Sequence, residues 1–300
     1  MRSHPIVWLL RVAWLVLPLT LGTVIEDALD GRSTPVVVVT AVLSWTLWAL
    51  GLGAALVTVP AAHAVLRWVV PIALVAGITS MLMNRPDTGE RAAANAFGVI
   101  GLIAALVATA CAFAGVLANE YANGAAYGDE RRFALRIPAG FLLGPIPVFW
   151  AATAGGLVGG PILLAAQAWL PGTLTLIVGL VAAPVAARSF LGLSRRWLVF
   201  VPAGVTLVDH LALSDPVLFS KARITRFGPA FTDTVAKDLT SNAAGLVIEL
   251  AFDQPLDISV RVGRDQAEVE LVRAVLITPV RPGAVMQEAA RRGLPTSAQG

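Results

Sequence analysis

The chain has 300 residues, of which 57% are hydrophobic and 14% charged, against roughly half apolar and about a quarter charged in soluble domains. That composition excludes an ordinary soluble globule and points to an integral membrane protein. The formal charge of +3 is small and dispersed, which argues against a nucleic-acid partner, and a single cysteine, Cys111, excludes an intramolecular disulfide and a multi-cysteine metal site.

A helix rising ~1.5 Å per residue needs roughly 20 apolar residues to cross a bilayer's hydrocarbon core. Six stretches meet that requirement, at residues 6–25, 36–59, 64–83, 92–117, 145–168 and 173–189. The first is too long for a cleaved signal peptide, Arg11 interrupts it and no small-x-small site follows Ile25, so it is expected to remain as an anchor. Apolar sequence from residue 137 to 170 exceeds one crossing; a start at Pro145 or Pro147 is favoured because proline suits a first helical turn. With a cytoplasmic N-terminus the inner segments hold Arg2, Arg67, the group Arg131, Arg132 and Arg136, and then Arg188, Arg195 and Arg196. The outer loops hold Arg32, Arg85 and Arg91. The positive-inside rule therefore predicts a multi-pass protein of the cell membrane with both termini cytoplasmic.

Ionisable residues inside spans are the best pointers to function, because each costs at least a few kcal/mol at mid-bilayer. Arg11 and Arg67 lie near span ends, from which they can snorkel to the interface, and no carboxylate or lysine occupies a span centre. Glu26 and Asp27 read as a solvated loop. Trp8, Trp68 and Trp169 fall near span ends, at headgroup level, whereas Trp45 and Trp48 fall deeper and read as packing residues. In the fifth span "GGLVGG" sets Gly155 and Gly159, and likewise Gly156 and Gly160, four residues apart. Such a face packs closely on another span or on another subunit of a homo-oligomer. The competing reading is a helix broken at a substrate site before Pro161.

Between the fourth and fifth spans, "NEYANGAAYGDERRF" holds both tyrosines. It reads either as a solvated connector with a basic topology signal or as a contact surface for the C-terminal domain. Both lysines, Lys221 and Lys237, follow residue 191. That shift divides the chain into a six-helix membrane domain at 1–191, a cytoplasmic domain at 192–294 and a disordered tail at 295–300.

In the second domain Trp197 to Val201 and Val205 to Val208 flank Pro202-Ala203-Gly204, a hairpin. Alternation then places Leu246, Ile248, Leu250 and Phe252 on one face and Ile258, Val260 and Val262 on another, and a further strand covers 269–278. "PGAVMQEAARRG" reads as a closing helix from Pro282, with Glu288 four residues before Arg292 and Gly293 and Pro295 as stop signals. About seven antiparallel strands and one C-terminal helix result. Asp209, His210 and Asp215 follow the second strand as turn chemistry; a lone histidine is a poor metal site.

"RRWLVFVPAGVTLVDHLALSDPVLF" (195–219) together with "ITPVRPGAVMQEAARRG" (277–293) resembles the C-terminal pleckstrin-homology-like domain of actinobacterial multi-span membrane proteins of unknown function. The resemblance implies a curved antiparallel sheet closed by a helix and implies no reaction. Domains of that kind which bind phosphoinositides carry cations around the first hairpin turn, and Pro202-Ala203-Gly204 has none. Lys221, Arg223 and Arg226 are the nearest candidates for lipid or partner contact, Lys221 and Arg223 being expected on one side of a strand. The competing reading of these cations is protection of a sheet edge.

The expected function is therefore non-enzymatic. The protein sits in the lipid bilayer and its pleckstrin-homology-like domain is a docking or regulatory surface for a protein partner at the inner leaflet. The alternative is a transporter or channel for a small solute or lipid using the glycine-rich fifth span. No cofactor, metal or catalytic residue is expected.

Overall fold

The computed structural model describes residues 4–83, 90–263 and 266–296, with side chains described for all of these except 90–95. The chain forms two compact units. One combines Met1–Glu120 with Ile146–Phe190, the other Tyr121–Pro145 with Leu191–Gly300. The division is thus not one cut near residue 191, because the stretch joining the fourth and fifth spans groups with the C-terminal part.

The first unit is helical. Among the described residues six helical stretches are long and apolar enough to cross a membrane: Pro5–Ala28, Thr34–Leu56, Pro60–Met83, Ala96–Phe113, Ala139–Ala165 and Trp169–Leu193. They match the six expected from the sequence to within a few residues at most ends. The first is two helices, α1 (Pro5–Leu15) and α2 (Leu17–Ala28), meeting at Val16. Pro18 has no N–H to offer the Trp14 carbonyl four residues back, and the helical hydrogen bonding is interrupted there. The second to fourth spans are α3 (Thr34–Leu56), α4 (Pro60–Met83) and α5 (Glu90–Phe113), and α6 (Gly115–Asn123) follows. α5 packs on α1, α2 and α4, and α3 packs on α1 and α4.

Cations near the starts of the first and third of these helical stretches cap the ends of the second and fourth. Arg11 donates from Nε to the Ala55 carbonyl at 2.9 Å and from Nη2 to Leu56 at 3.3 Å, while its guanidinium lies over Trp8. These carbonyls belong to the last turn of α3, which has no intrahelical donors for them, and the negative end of the helix dipole adds to the attraction. The Ala112 carbonyl, in the last turn of α5, likewise meets His63 Nε2 at 2.9 Å and Arg67 Nε at 3.4 Å. These two arginines therefore have structural partners within the helical unit.

The fifth span comprises α7 (Ala139–Leu143), α8 (Pro145–Ala154), a π-helical turn at Gly155–Gly159 and α9 (Gly160–Ala165). The wider turn takes up the missing N–H of Pro161 without ending the helix. The sixth span is α10 (Trp169–Leu193). Trp68 Nε1 donates to Thr153 Oγ1 and Trp150 Nε1 to the Trp68 carbonyl, both at 2.9 Å, joining α4 to α8.

Among the described residues the second unit holds two four-stranded sheets, the short helix at Ala139–Leu143 and a terminal helix. The first sheet is a meander of β1 (Arg131–Ala134), β2 (Trp197–Val201), β3 (Gly204–Val208) and β4 (Val217–Ser220) in chain order. β1 pairs antiparallel with β2, Arg132 opposite Val199 and Ala134 opposite Trp197. The second sheet has the order β5-β7-β8-β6, from β5 (Ile224–Pro229), β6 (Lys237–Asp238), β7 (Ile248–Arg261) and β8 (Ala267–Ile277). β6 runs parallel to β8; the other pairings are antiparallel. The two alternating runs of the sequence are one strand, β7, with a register shift between Ala251 and Leu256 where Pro255 cannot donate to the ladder.

The helix α11 (Pro282–Arg291) buries Val285 and Ala289 in the core of this unit. Gly293 at φ +66 ends it by supplying the left-handed residue that closes many helices. The β1 segment is part of this core: Phe133 is 4% exposed and meets Phe200 edge to face at 5.6 Å.

Candidate functional site: a cleft beside the first span

A cleft of about 1430 Å³ opens within the helical unit. It follows from the helix pairing: α3 packs on α1 and α4, while α2 packs on α4 and α5. The base is held by two tryptophans that exchange hydrogen bonds. Trp48 Nε1 donates at 3.2 Å to the Trp14 carbonyl, the one that Pro18 deprives of its helical donor, and Trp14 Nε1 donates to the Trp48 carbonyl at 2.9 Å. Gly51 makes room for this, since a Cβ there would meet Trp14 Cε2 at 2.5 Å.

One wall is α3, with Val37 near the rim and Ala41, Ser44 and Trp45 below it; the floor is α4 at Val69, Ile72, Ala73 and Ala76. Trp45 stands edge to face with Trp48 at 5.5 Å and is 59% exposed. It is therefore a lining residue more than a packing one. The rim carries Glu26, Asp27, Asp30 and Arg32, so Glu26 and Asp27 belong to the mouth of a cavity. Gly22 lines α2, and a Cβ at that position would meet nothing within 4 Å.

The four glycines of "GGLVGG" divide into two pairs. Cβ atoms at Gly156 and Gly160 would run into the α10 backbone, at 2.8 Å from the Thr175 carbonyl oxygen and 2.9 Å from Leu176 Cα. Gly155 and Gly159 face open space. The face of the first pair is closed by α10, and the other is free for lipid or a second subunit.

In the β unit, Lys221 and Arg223 do not share a strand face, because Lys221–Arg223 is a 3-10 turn; only Arg226 lies on a strand. Each cation has an internal partner. Lys221 Nζ donates to the Arg292 carbonyl at 2.5 Å, capping α11. Arg223 reaches Asp253 at 3.4 Å and the Gln254 and Pro255 carbonyls. Arg226 pairs with Glu249, donates to the Pro229 carbonyl and stacks on Phe231.

Asp209 has a structural partner that the sequence did not announce. Arg196 donates to both its carboxylate oxygens at 2.7 Å and to the Arg136 carbonyl at 2.8 Å, with both ionic side chains at most 1% exposed. The Leu211 N–H completes the carboxylate's partners at 3.0 Å. His210 is pushed below its ordinary pKa by burial; Asp209 opposes the shift, and Arg196, Arg261 and Arg195 add to it. Asp215 accepts from Ser214 Oγ at the surface. Among the described residues no group of three or more His, Cys, Asp or Glu is placed to hold a metal ion.

The segment Asn123 to Val280 is stitched by hydrogen bonds no local signal predicts. Asn123 Oδ1 accepts from the Arg132 N–H at 2.9 Å and its Nδ2 donates to the Arg132 carbonyl at 2.7 Å. Arg132 pairs with Glu130 and lies over the Trp197 ring. Further on, Arg136 N–H donates to the Thr278 carbonyl and Val280 N–H to the Ala134 carbonyl, and Arg292 Nη2 donates to the Asp129 carbonyl. Comparison with known protein families, with curated proteins and with solved structures finds no match to this chain.

Proposed function

We propose that the protein is a non-enzymatic integral membrane protein, with both termini in the cytoplasm and a pleckstrin-homology-like domain that serves as a docking or regulatory surface for a protein partner at the inner leaflet. The observation that carries this reading is the pairing of β1 with β2. It requires the loop between the fourth and fifth spans to lie on the same side of the membrane as the C-terminal part. Two intervening spans satisfy that requirement, and the arginine bias makes the shared side the cytoplasm.

A four-stranded meander, a second sheet and a closing helix suit the pleckstrin-homology-like plan. The departure is that the first strand is supplied from the loop between two spans. The chain passes between the two units at residues 120–121, 145–146 and 190–191. Lys221, Arg223 and Arg226 are engaged internally, which favours a protein partner over a lipid headgroup. Val269 and Leu271 alternate on the outward face of β8 at 70% and 68% exposure, an apolar pair of the kind found in interfaces.

A photo-cross-linking residue at Leu271 in living cells tests the reading. One discrete protein adduct, absent when the same residue replaces Leu82 in the third span, is expected. Indistinguishable adducts from the two positions contradict it.

A further inference from the structure

The cleft beside the first span has the dimensions and polarity of a site for one membrane amphiphile. From Val37 at the rim to Trp48 at the base, the α3 wall runs about 17 Å at ~1.5 Å per residue. That is about half of a ~30 Å hydrocarbon core, one leaflet deep. The floor and lower walls are apolar: Leu17, Leu21, Val69, Ile72, Ala73 and Ala76. They offer an acyl chain the contacts it has in lipid. Among the described residues the rim sets three carboxylates, Glu26, Asp27 and Asp30, against one guanidinium, Arg32, a net negative mouth. Below the rim Trp45 adds an exposed ring to the wall along which a lipid tail would lie. At about 1430 Å³ the space exceeds the roughly 300–1,000 Å³ of ordinary small-molecule pockets, as a lipid would require.

We infer that this cleft binds a single lipid whose head carries an ammonium group, the ammonium held among Glu26, Asp27 and Asp30 at the rim and the acyl chains lying between α2 and α3 on α4. A lipid with a negative charge and no cation is disfavoured by the three carboxylates, and a head without a cation forgoes their attraction. The inference rests on the six helices being membrane spans.

The test uses the full chain in mixed micelles, with retained lipid counted by native mass spectrometry. Dioleoyl phosphatidylethanolamine is titrated against dioleoyl phosphatidylglycerol. One ethanolamine lipid is expected to be retained with about tenfold preference. Dodecyltrimethylammonium should displace it, while dodecyl sulfate and dodecyl maltoside at equal concentration should not. The triple variant Glu26→Gln/Asp27→Asn/Asp30→Asn alters exposed side chains only and should lose the preference while keeping the parent's melting temperature. Gly22→Phe, placed where a Cβ meets open space, should abolish retention of either lipid.

Equal retention of the two lipids, an unchanged preference in the triple variant, or displacement by all three detergents alike overturns the inference. Should Gly22→Phe fail to fold, the triple variant decides. A protein that leaves cell membranes in carbonate without detergent removes the membrane reading itself, a result distinct from an embedded protein without lipid preference.

Discussion

Replacing Asp209 by Asn should destabilise the β unit more than most surface changes in it. The side chain keeps its shape, but the Arg196 guanidinium, at most 1% exposed, loses the carboxylate it meets with two bonds of 2.7 Å. Its remaining acceptors, the asparagine amide oxygen and the Arg136 carbonyl, carry no charge. Removing one member of a buried pair costs about 3–5 kcal/mol, chiefly through the uncompensated charge left behind. At ~1.36 kcal/mol per factor of ten, openings that expose β2 and β3 should become roughly 150- to 5,000-fold more frequent. Native-state hydrogen exchange, read by mass spectrometry on peptides covering Trp197–Val208, measures this in the full chain. The double variant Arg196→Met/Asp209→Leu should recover much of the loss, because apolar pairs of similar volume often replace buried ion pairs at little cost. Exchange in Asp209→Asn within threefold of the parent would refute the reasoning, as would a double variant worse than the single one.

Three further outcomes are expected. Gly156→Leu should lower the melting temperature in detergent and Gly155→Leu should not, because only the first meets the α10 backbone; equal effects would show that the pairing of the fifth and sixth spans is wrong. Phe133→Ala should cost about 3–5 kcal/mol, as large-to-small changes in packed cores do, and should speed exchange in β2, although the two residues lie far apart in sequence. For Glu288, burial pushes the carboxyl up, but hydrogen bonds and charge from Arg291 and Arg292 outweigh it and hold the folded value below the ordinary 4.5. A depressed acid stabilises the fold above its unfolded pKa, and the contribution is lost as pH falls through the folded value. Loosening of α11, read by exchange at residues 282–291, should therefore grow below about pH 4.5, and Glu288→Gln should flatten that dependence.

The spans were legible because composition and length suffice to define them, and the hairpin at Trp197–Val208 and the helix from Pro282 because their signals are local. What the sequence concealed depends on partners far along the chain. "RRFA" at 131–134 has four residues and two arginines, too short for periodicity and easily taken for a topology signal, yet its pairing residues lie some 65 positions away. Arg196 reads as a membrane-flanking cation until Asp209 is seen across the hairpin. The cleft was hidden in the same way: Pro18, Trp14, Trp48 and Gly51 are each unremarkable in an apolar helix, and only the helix pairing shows that one carbonyl freed by proline is taken by an indole from the next span. Lys221 and Arg223 misled because alternation was applied to a segment that is a 3-10 turn.

A disulfide tests the shared construction of the β unit most directly. In a Cys111→Ser background the pair Arg132→Cys and Val199→Cys places thiols on directly opposed residues of β1 and β2, a separation of about 4.5–5.5 Å between Cα atoms that a disulfide can span. Mild oxidation of the protein in its native membrane should link the two peptides in most molecules, while Arg132→Cys with Leu218→Cys should remain unlinked. Absence of the first link, or equal formation of both, would contradict a β unit built from two separate stretches of chain.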